Sequence, residues 1–288
     1  MENLSLYDNV NTTSAEDQHL GYAVIYGCIM TLGLPLNALS LGILLLRHRL
    51  KSSTAVFMVN LAISDLLLII SLPMRVYFHA TGTWPLSKLA CNRITMLFRN
   101  NLRSSAIFIT AISVDRLLAV VYPLRSRHLR TPSNGWKAAA AIWIFVLLVN
   151  IPESLSLLKS NNTTTCFKQN KLHQDSGGLY FQLVLMLTML IVNVVCTALV
   201  SWTLHRMTDS ARVKNKVNVM LIFAINLLIF IICFMPLTIA VFTMSKTTPI
   251  SPFICLASMN CCMDPVLYCF SLDAFWKKKE DVDLARES

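Results

Sequence analysis

The chain has 288 residues, 55% of them hydrophobic and only 14% charged, with a mean hydropathy of +0.58. That balance excludes an ordinary soluble domain and fits a polytopic membrane protein. The formal charge of +10 gathers in a few loops, so it reads as a topology signal and not as a nucleic-acid footprint.

Residues 1–18 are polar, with Glu2, Asp8, Glu16 and Asp17 but no Lys or Arg. Apolar runs follow near 20–46, 55–79, 92–122, 136–158, 179–204, 217–244 and 250–270. Each has about 20 residues or more, enough to cross ~30 Å of hydrocarbon at ~1.5 Å per residue. Seven helices therefore fill 19–270 and leave no room for a separate soluble domain. No period-two alternation is sustained, which argues against strands. Within 271–288, Phe275-Trp276-Lys277-Lys278-Lys279 has the pattern of a short amphipathic helix on the membrane surface. The predicted fold is all-α: a seven-transmembrane helix bundle followed by that short helix.

The loops orient the bundle. Arg47, Arg49 and Lys51 follow the first span, and Arg125, Arg127 and Arg130 follow the third. Arg206, Arg212, Lys214 and Lys216 follow the fifth, and Lys277 to Lys279 lie in the tail. The positive-inside rule makes this side cytoplasmic and the N-terminus extracellular, as expected of a multi-pass plasma-membrane protein. No cleavable signal peptide is visible, so the first span is expected to act as its own insertion signal. The sequons at Asn3, Asn11, Asn161 and Asn162 all fall on the outer side, as glycosylation requires. Nine cysteines are present. Most lie within apolar spans and read as packing residues. Cys91 and Cys166 both face the oxidising side and are expected to form a disulfide; the alternative is two free thiols.

The charged and polar motifs come one per span. Asn37 stands in Gly-Leu-Pro-Leu-Asn, and Asp65 in Leu-Ala-Ile-Ser-Asp. Asp115-Arg116-Leu117 ends the third span, and Trp143 lies in the fourth. Phe230-Ile-Ile-Cys-Phe-Met-Pro236 lies in the sixth, and Asn260-Cys-Cys-Met-Asp264-Pro265-Val-Leu-Tyr268 in the seventh. In this order and spacing they resemble the rhodopsin-like G-protein-coupled receptors over essentially the whole chain. Asp264 before Pro265, Phe234, Ser71-Leu-Pro-Met-Arg75 and the Trp84-Pro pair resemble the nucleotide, lysophospholipid and hydroxycarboxylic-acid branch. They look most like its non-Edg lysophosphatidic-acid receptors and orphan relatives. Two departures bear on activation: Leu117 replaces a usual Tyr, and the fifth span lacks both its usual proline and a Tyr near Thr197.

The resemblance implies a switch. Arg116 is held by Asp115 at rest and is exposed to a heterotrimeric G protein when the sixth helix swings outward. Leu124 is presented to the same partner. Phe230, Phe234, Pro236, Asp264, Pro265 and Tyr268 complete the moving parts, with Pro236 as a hinge because it lacks a backbone donor. Arg125, Arg127 and Arg130 read as a snorkelling basic flank. Asp65, Asn101, Ser105, Asn260 and Asp264 resemble the family's sodium pocket. Two buried carboxylates cannot both stay ionised without a cation or a proton, so the alternative is a protonated hydrogen-bonded network. No other cofactor is implied. The two acids lack the Gly-x-Gly-Asp setting of an intramembrane protease, so no enzyme is expected, and no internal repeat supports a transporter.

The outer halves of the second and third spans hold Arg75, Arg93, Arg99 and Arg103, with Glu153 the one acid in a comparable layer. An uncompensated arginine in hydrocarbon costs at least ~2.5 kcal/mol. These arginines must therefore meet a cavity, an acid or an anion. Arg93 sits closer to the surface and reads as snorkelling. Arg75, Arg99 and Arg103, walled by Tyr77, Phe98, Leu102 and Phe181, fit an anionic amphiphile such as a lysophospholipid or a fatty-acid-like acid. The alternatives are a small carboxylate or nucleotide ligand, or a constitutively active receptor whose arginines pair with Glu153 for structure alone.

Overall fold

Large apolar side chains cover the outside, and polar ones are buried in the middle among apolar ones, unlike the pattern of a water-soluble bundle. Leu32, Leu39, Ile70, Ile144, Leu148, Val184, Ile191, Ile232 and Ile239 are exposed, whereas Asn37, Asp65, Asn101, Ser105, Asn193, Asn226, Asn260 and Asp264 are buried. Lipid as the surrounding solvent explains both halves of that pattern. The computed structural model describes residues 2–46, 50, 52–159, 166, 176–206, 213–243 and 250–268.

The helices are α1 (Glu2–Leu46), α2 (Ser53–Thr81), α3 (Lys88–Val121), α4 (Pro132–Lys159), α5 (Ser176–Arg206), α6 (Val213–Ile229), α7 (Met235–Thr243) and α8 (Ser251–Ser258). A further helical stretch covers 260–268, and no strand occurs among the described residues. Six spans are long and apolar enough to cross a membrane, the sixth running Val219–Thr243 through α6 and α7. α8 and 260–268 together make the seventh apolar segment. The backbone of the N-terminal segment expected to precede the bundle is helical and continuous with α1. The predicted amphipathic helix at 275–279 and the sequons at Asn161 and Asn162 lie outside the described residues, as do the side chains of Asn3 and Asn11.

Local chemistry sets the ends. Ser52 caps α2 by accepting from the Ala55 amide at 3.2 Å, and Ser87 caps α3 through Ala90 at 3.2 Å. These hydroxyls satisfy amides that have no partner inside the helix. α2 stops at Gly82, whose φ of 68° suits a residue without a Cβ. A π-helical turn, Phe230–Phe234, joins α6 to α7 immediately before Pro236. Proline cannot donate to the preceding turn, and the widened turn absorbs that lost bond.

α3 runs through the centre and touches α2, α4, α5, α6 and α8. The main core gathers Phe57, Leu61, Phe108, Ile112, Phe230, Phe234 and Tyr268 around it. Cys91 at the start of α3 is bonded to Cys166, with Cα atoms 5.8 Å apart, which bears out the expected disulfide. Two polar ties hold helices together across the core. Asn37 Nδ2 donates to the Cys261 carbonyl at 2.6 Å, and Trp143 Nε1 donates to Asn60 Oδ1 at 2.9 Å. At Gly135, a Cβ would lie 3.1 Å from the Ser53 Cα, so α4 approaches α2 there backbone to backbone.

Gly135→Val is therefore expected to destabilise the bundle by about 1–3 kcal/mol, through overpacking against a backbone that cannot yield. Gly42→Ala, whose Cβ meets nothing within 4 Å, is expected to leave stability unchanged or slightly raised. Thermal unfolding of the detergent-solubilised protein checks both.

Candidate functional site

At the disulfide end of the bundle, α3, α4 and α5 enclose a charged cluster. Glu153 takes Arg99 Nη1 on Oε2 at 2.6 Å and Arg103 Nη2 on Oε1. Arg103 also donates from Nε to Gln182 Oε1 at 2.8 Å and from Nη1 to Asn150 Oδ1. Asn150 in turn donates to Asn100. Arg103 is 2% exposed and held on three sides, whereas Arg99 is 17% exposed and keeps the more open position. Among the described residues, two guanidiniums thus share one carboxylate, a net positive charge inside an apolar bundle.

Arg75 lies on the other side of α3. Its guanidinium stands 4.8 Å from the centre of the Phe98 ring and 6.0 Å from that of Tyr26, distances at which a cation is attracted to an aromatic face. Phe98 packs with Leu68, Leu72 and Leu237 in a second core, and Leu102 touches both cores. Phe98 and Arg99 are neighbours on one helix, so they point about 100° apart. The three arginines expected in one pocket instead form two positive centres, Arg75 beside Phe98 and Tyr26 and the Arg99–Arg103 pair on Glu153. Tyr77 and Phe181 join neither. Tyr77 is exposed on the same face of α2 as Ile70, seven residues earlier. Phe181 is exposed beside Phe145 at the outer surface, with ring centroids 6.4 Å apart.

Midway through the bundle, Asn101 Nδ2 donates to Asp65 Oδ1 at 2.9 Å and to Ser105 Oγ at 3.1 Å. Ser105 Oγ reaches the same carboxylate oxygen at 3.4 Å. Asp264 and Asn260 are fully buried as well. No group among the described residues donates a hydrogen bond to Asp65 Oδ2, to either oxygen of Asp264 or to Asn260 Oδ1. Buried oxygens short of donors fit a hard cation such as sodium, and they equally fit a proton shared between the two carboxylates.

At the opposite end, Asp115 is not left to its sequence neighbour. Its carboxylate accepts from the Ser53 and Thr54 hydroxyls, and from Arg130 Nε at 3.2 Å and Nη2 at 3.1 Å. Successive helix positions do not face each other, whereas the first turn of α2 offers hydroxyls and the positive end of its dipole. Arg130, expected in a snorkelling flank, thus forms an ion pair with Asp115. Leu124, in the turn beyond α3, is 88% exposed and available to a partner. Phe230 and Phe234 are fully buried with ring centroids 5.3 Å apart, directly above Pro236 in the chain.

A family model for the seven-transmembrane receptors of the rhodopsin family matches residues 36–268. The chain belongs to that family. Among its relatives, human lysophosphatidic acid receptor 4 is 33% identical over 93% of this chain and 79% of its own length. Lysophosphatidic acid receptor 6 of Gallus gallus is 33% identical, covering 88% of this chain and 90% of its own. Lysophosphatidic acid receptor 5 of Bos taurus is 33% identical over 89% and 77%.

The receptor also holds a polar clamp that the motifs did not reveal. Asn193 on α5 donates to Thr110 Oγ1 at 2.8 Å and accepts from Ser113 Oγ at 2.7 Å. Asn226 on α6 donates to the same Ser113 oxygen at 3.1 Å. Thr197, where a tyrosine is usual, donates to the Asn193 carbonyl of its own helix at 2.8 Å. The clamp ties α6 to α3 and α5 through the buried middle. The available signal was an Asn inside each of two apolar runs, since such a group needs an interhelical partner.

Glu153→Ala is expected to cost the receptor about 3–5 kcal/mol, because it leaves two partly buried guanidiniums without their carboxylate. Glu153→Gln, which keeps an acceptor, is expected to cost less. A thermal unfolding series on purified protein gives the order.

Proposed function

We propose that this chain is a plasma-membrane receptor for an anionic lysophospholipid, with lysophosphatidic acid as its chemical prototype. The N-terminus and the disulfide end face outside, and a heterotrimeric G protein engages the Asp115–Arg116 end. The observation that carries the ligand is the shared carboxylate: Arg99 and Arg103 have one Glu153 between them, so a phosphate can complete the charge balance. Guanidinium pairs with phosphate through parallel hydrogen bonds. Arg75, against the rings of Phe98 and Tyr26, offers a second positive centre beside the apolar cluster that Phe98 joins, a wall for an acyl chain. The relatives' names point to the same ligand class.

Arg103 is a positioning residue in this reading, since each of its three nitrogens already donates, to Gln182, Asn150 and Glu153, and its side chain is buried. Arg99 is the one that meets the headgroup. On activation the α6–α7 span turns at Pro236, the Asn226–Ser113 bond opens and Arg116 becomes available to the G protein. Asp65, Asn101, Ser105, Asn260 and Asp264 would hold sodium, whose charge would offset the two buried carboxylates and so favour the resting arrangement.

G-protein activation in cells, with lysophosphatidic acid against a neutral monoacylglycerol, tests the ligand. The phospholipid alone is expected to activate. Arg99→Ala is expected to lose roughly tenfold or more in potency, the worth of one charge-assisted hydrogen bond. High signalling that no lipid alters, unchanged in Arg99→Ala, would mean that the arginines are structural and the receptor runs without a ligand. Asn226→Leu, which removes one arm of the clamp while keeping an apolar fill, is expected to raise signalling in the absence of lipid several-fold. A basal level equal to the unaltered receptor's would show that the clamp does not restrain α6.

A further inference from the structure

We infer that His19 on α1 and His79 on α2 form a zinc-binding site at the outer end of the bundle. Their Nδ1 atoms stand 3.4 Å apart and their ring centroids 5.6 Å apart. That separation is long for a hydrogen bond between nitrogens, which prefers ~2.7–3.2 Å. It matches two imidazole nitrogens on one tetrahedral zinc, which lie roughly 3.4 Å apart when each is ~2.0–2.1 Å from the metal. The two rings therefore hold the spacing of a shared ion better than that of a direct bond.

The surroundings fix one ligand and expose the other. Tyr26 stacks on the His79 ring at 5.6 Å with planes 26° apart, Tyr22 tilts against it at 5.5 Å, and Phe78 meets it edge-on. Packing on several sides removes the rotational freedom that a ligand must otherwise lose on binding. His19 is exposed, so an ion reaches the pair from solvent. Among the described residues no third His, Cys, Asp or Glu joins them. Two positions of the tetrahedron are thus left to water or to an anion. Arg75 stands one turn before His79 on α2 and opposes the metal's charge, which lowers the affinity. The same guanidinium favours an anion as the completing ligand. Zinc here would fasten α1 to α2 next to Arg75.

The test uses the purified full-length chain in lipid-free detergent, so it stands apart from the ligand proposal. Zinc binding is measured by competition with a chromophoric chelator, and by the zinc-dependent rise in thermal unfolding temperature. One zinc of micromolar affinity is expected in the unaltered chain and in His205→Ala, an exposed histidine at the far end of α5. The affinity is expected to fall tenfold or more in His19→Ala and in His79→Ala, with the thermal rise lost in both. Because His19 is exposed, its alanine variant reads out the site even if His79→Ala disturbs the packing. The proposal is overturned if the unaltered chain binds no zinc, or if His19→Ala binds it as well as the unaltered chain does.

Discussion

Glu153 is shared by Arg99 and Arg103, and that uneven sharing is the constraint from which the functional reading follows. A charge placed in a low-dielectric bundle must be met by an opposite charge, a dipole or a ligand. The same rule appears at each level of this receptor. At the far end, Asp115 is met by Arg130 and by two hydroxyls at the start of α2. In the middle, Asp65 is met by Asn101 and Ser105 on one oxygen only. Where protein groups complete the balance the contact is structural. Where the described groups fall short, as around Glu153 and between Asp65 and Asp264, the proposed ligands would supply the balance: an anion in the first case and a hard cation in the second.

The moving part is built against this background. The π-helical turn before Pro236 loosens the backbone ladder of the sixth span at one point. The clamp from Asn226 through Ser113 to Asn193 opposes motion at another. In the proposed activation, a hinge and a restraint on the same span would make a two-state element, which a ligand could bias by binding the two arrangements unequally. The restraint is made of neutral hydrogen bonds, each of modest net worth, so a binding difference of a few kcal/mol is enough to shift it.

Much of this architecture was legible in the residues. Span length and hydropathy placed the helices, and the Cys91–Cys166 bond followed from which side each thiol faced. What escaped was direction around the helix axis. Asp115 has Arg116 beside it in sequence, yet the helix also turns its carboxylate to Arg130, fifteen residues on. Phe98 and Arg99 diverge in the same way and divide the expected pocket in two. Tyr77 and Phe181 are as apolar as any wall residue, yet they face outwards; in lipid, hydrophobicity no longer separates inside from outside. Asn193 and Asn226 belong to no motif, and their importance shows only when their partners on α3 are seen.

The central claim is that the surplus positive charge around Glu153 is completed by an anionic lipid headgroup. The most direct measurement is the thermal unfolding temperature of the purified receptor with lysophosphatidic acid and with a neutral monoacylglycerol of the same chain length. A ligand that binds only the folded protein raises its stability in proportion to the logarithm of its concentration over Kd. The account predicts a concentration-dependent rise with the phosphate lipid, little with the neutral one, and loss of the difference in Arg99→Ala. Equal shifts with both lipids, or a phosphate-dependent shift that persists in Arg99→Ala, would contradict it.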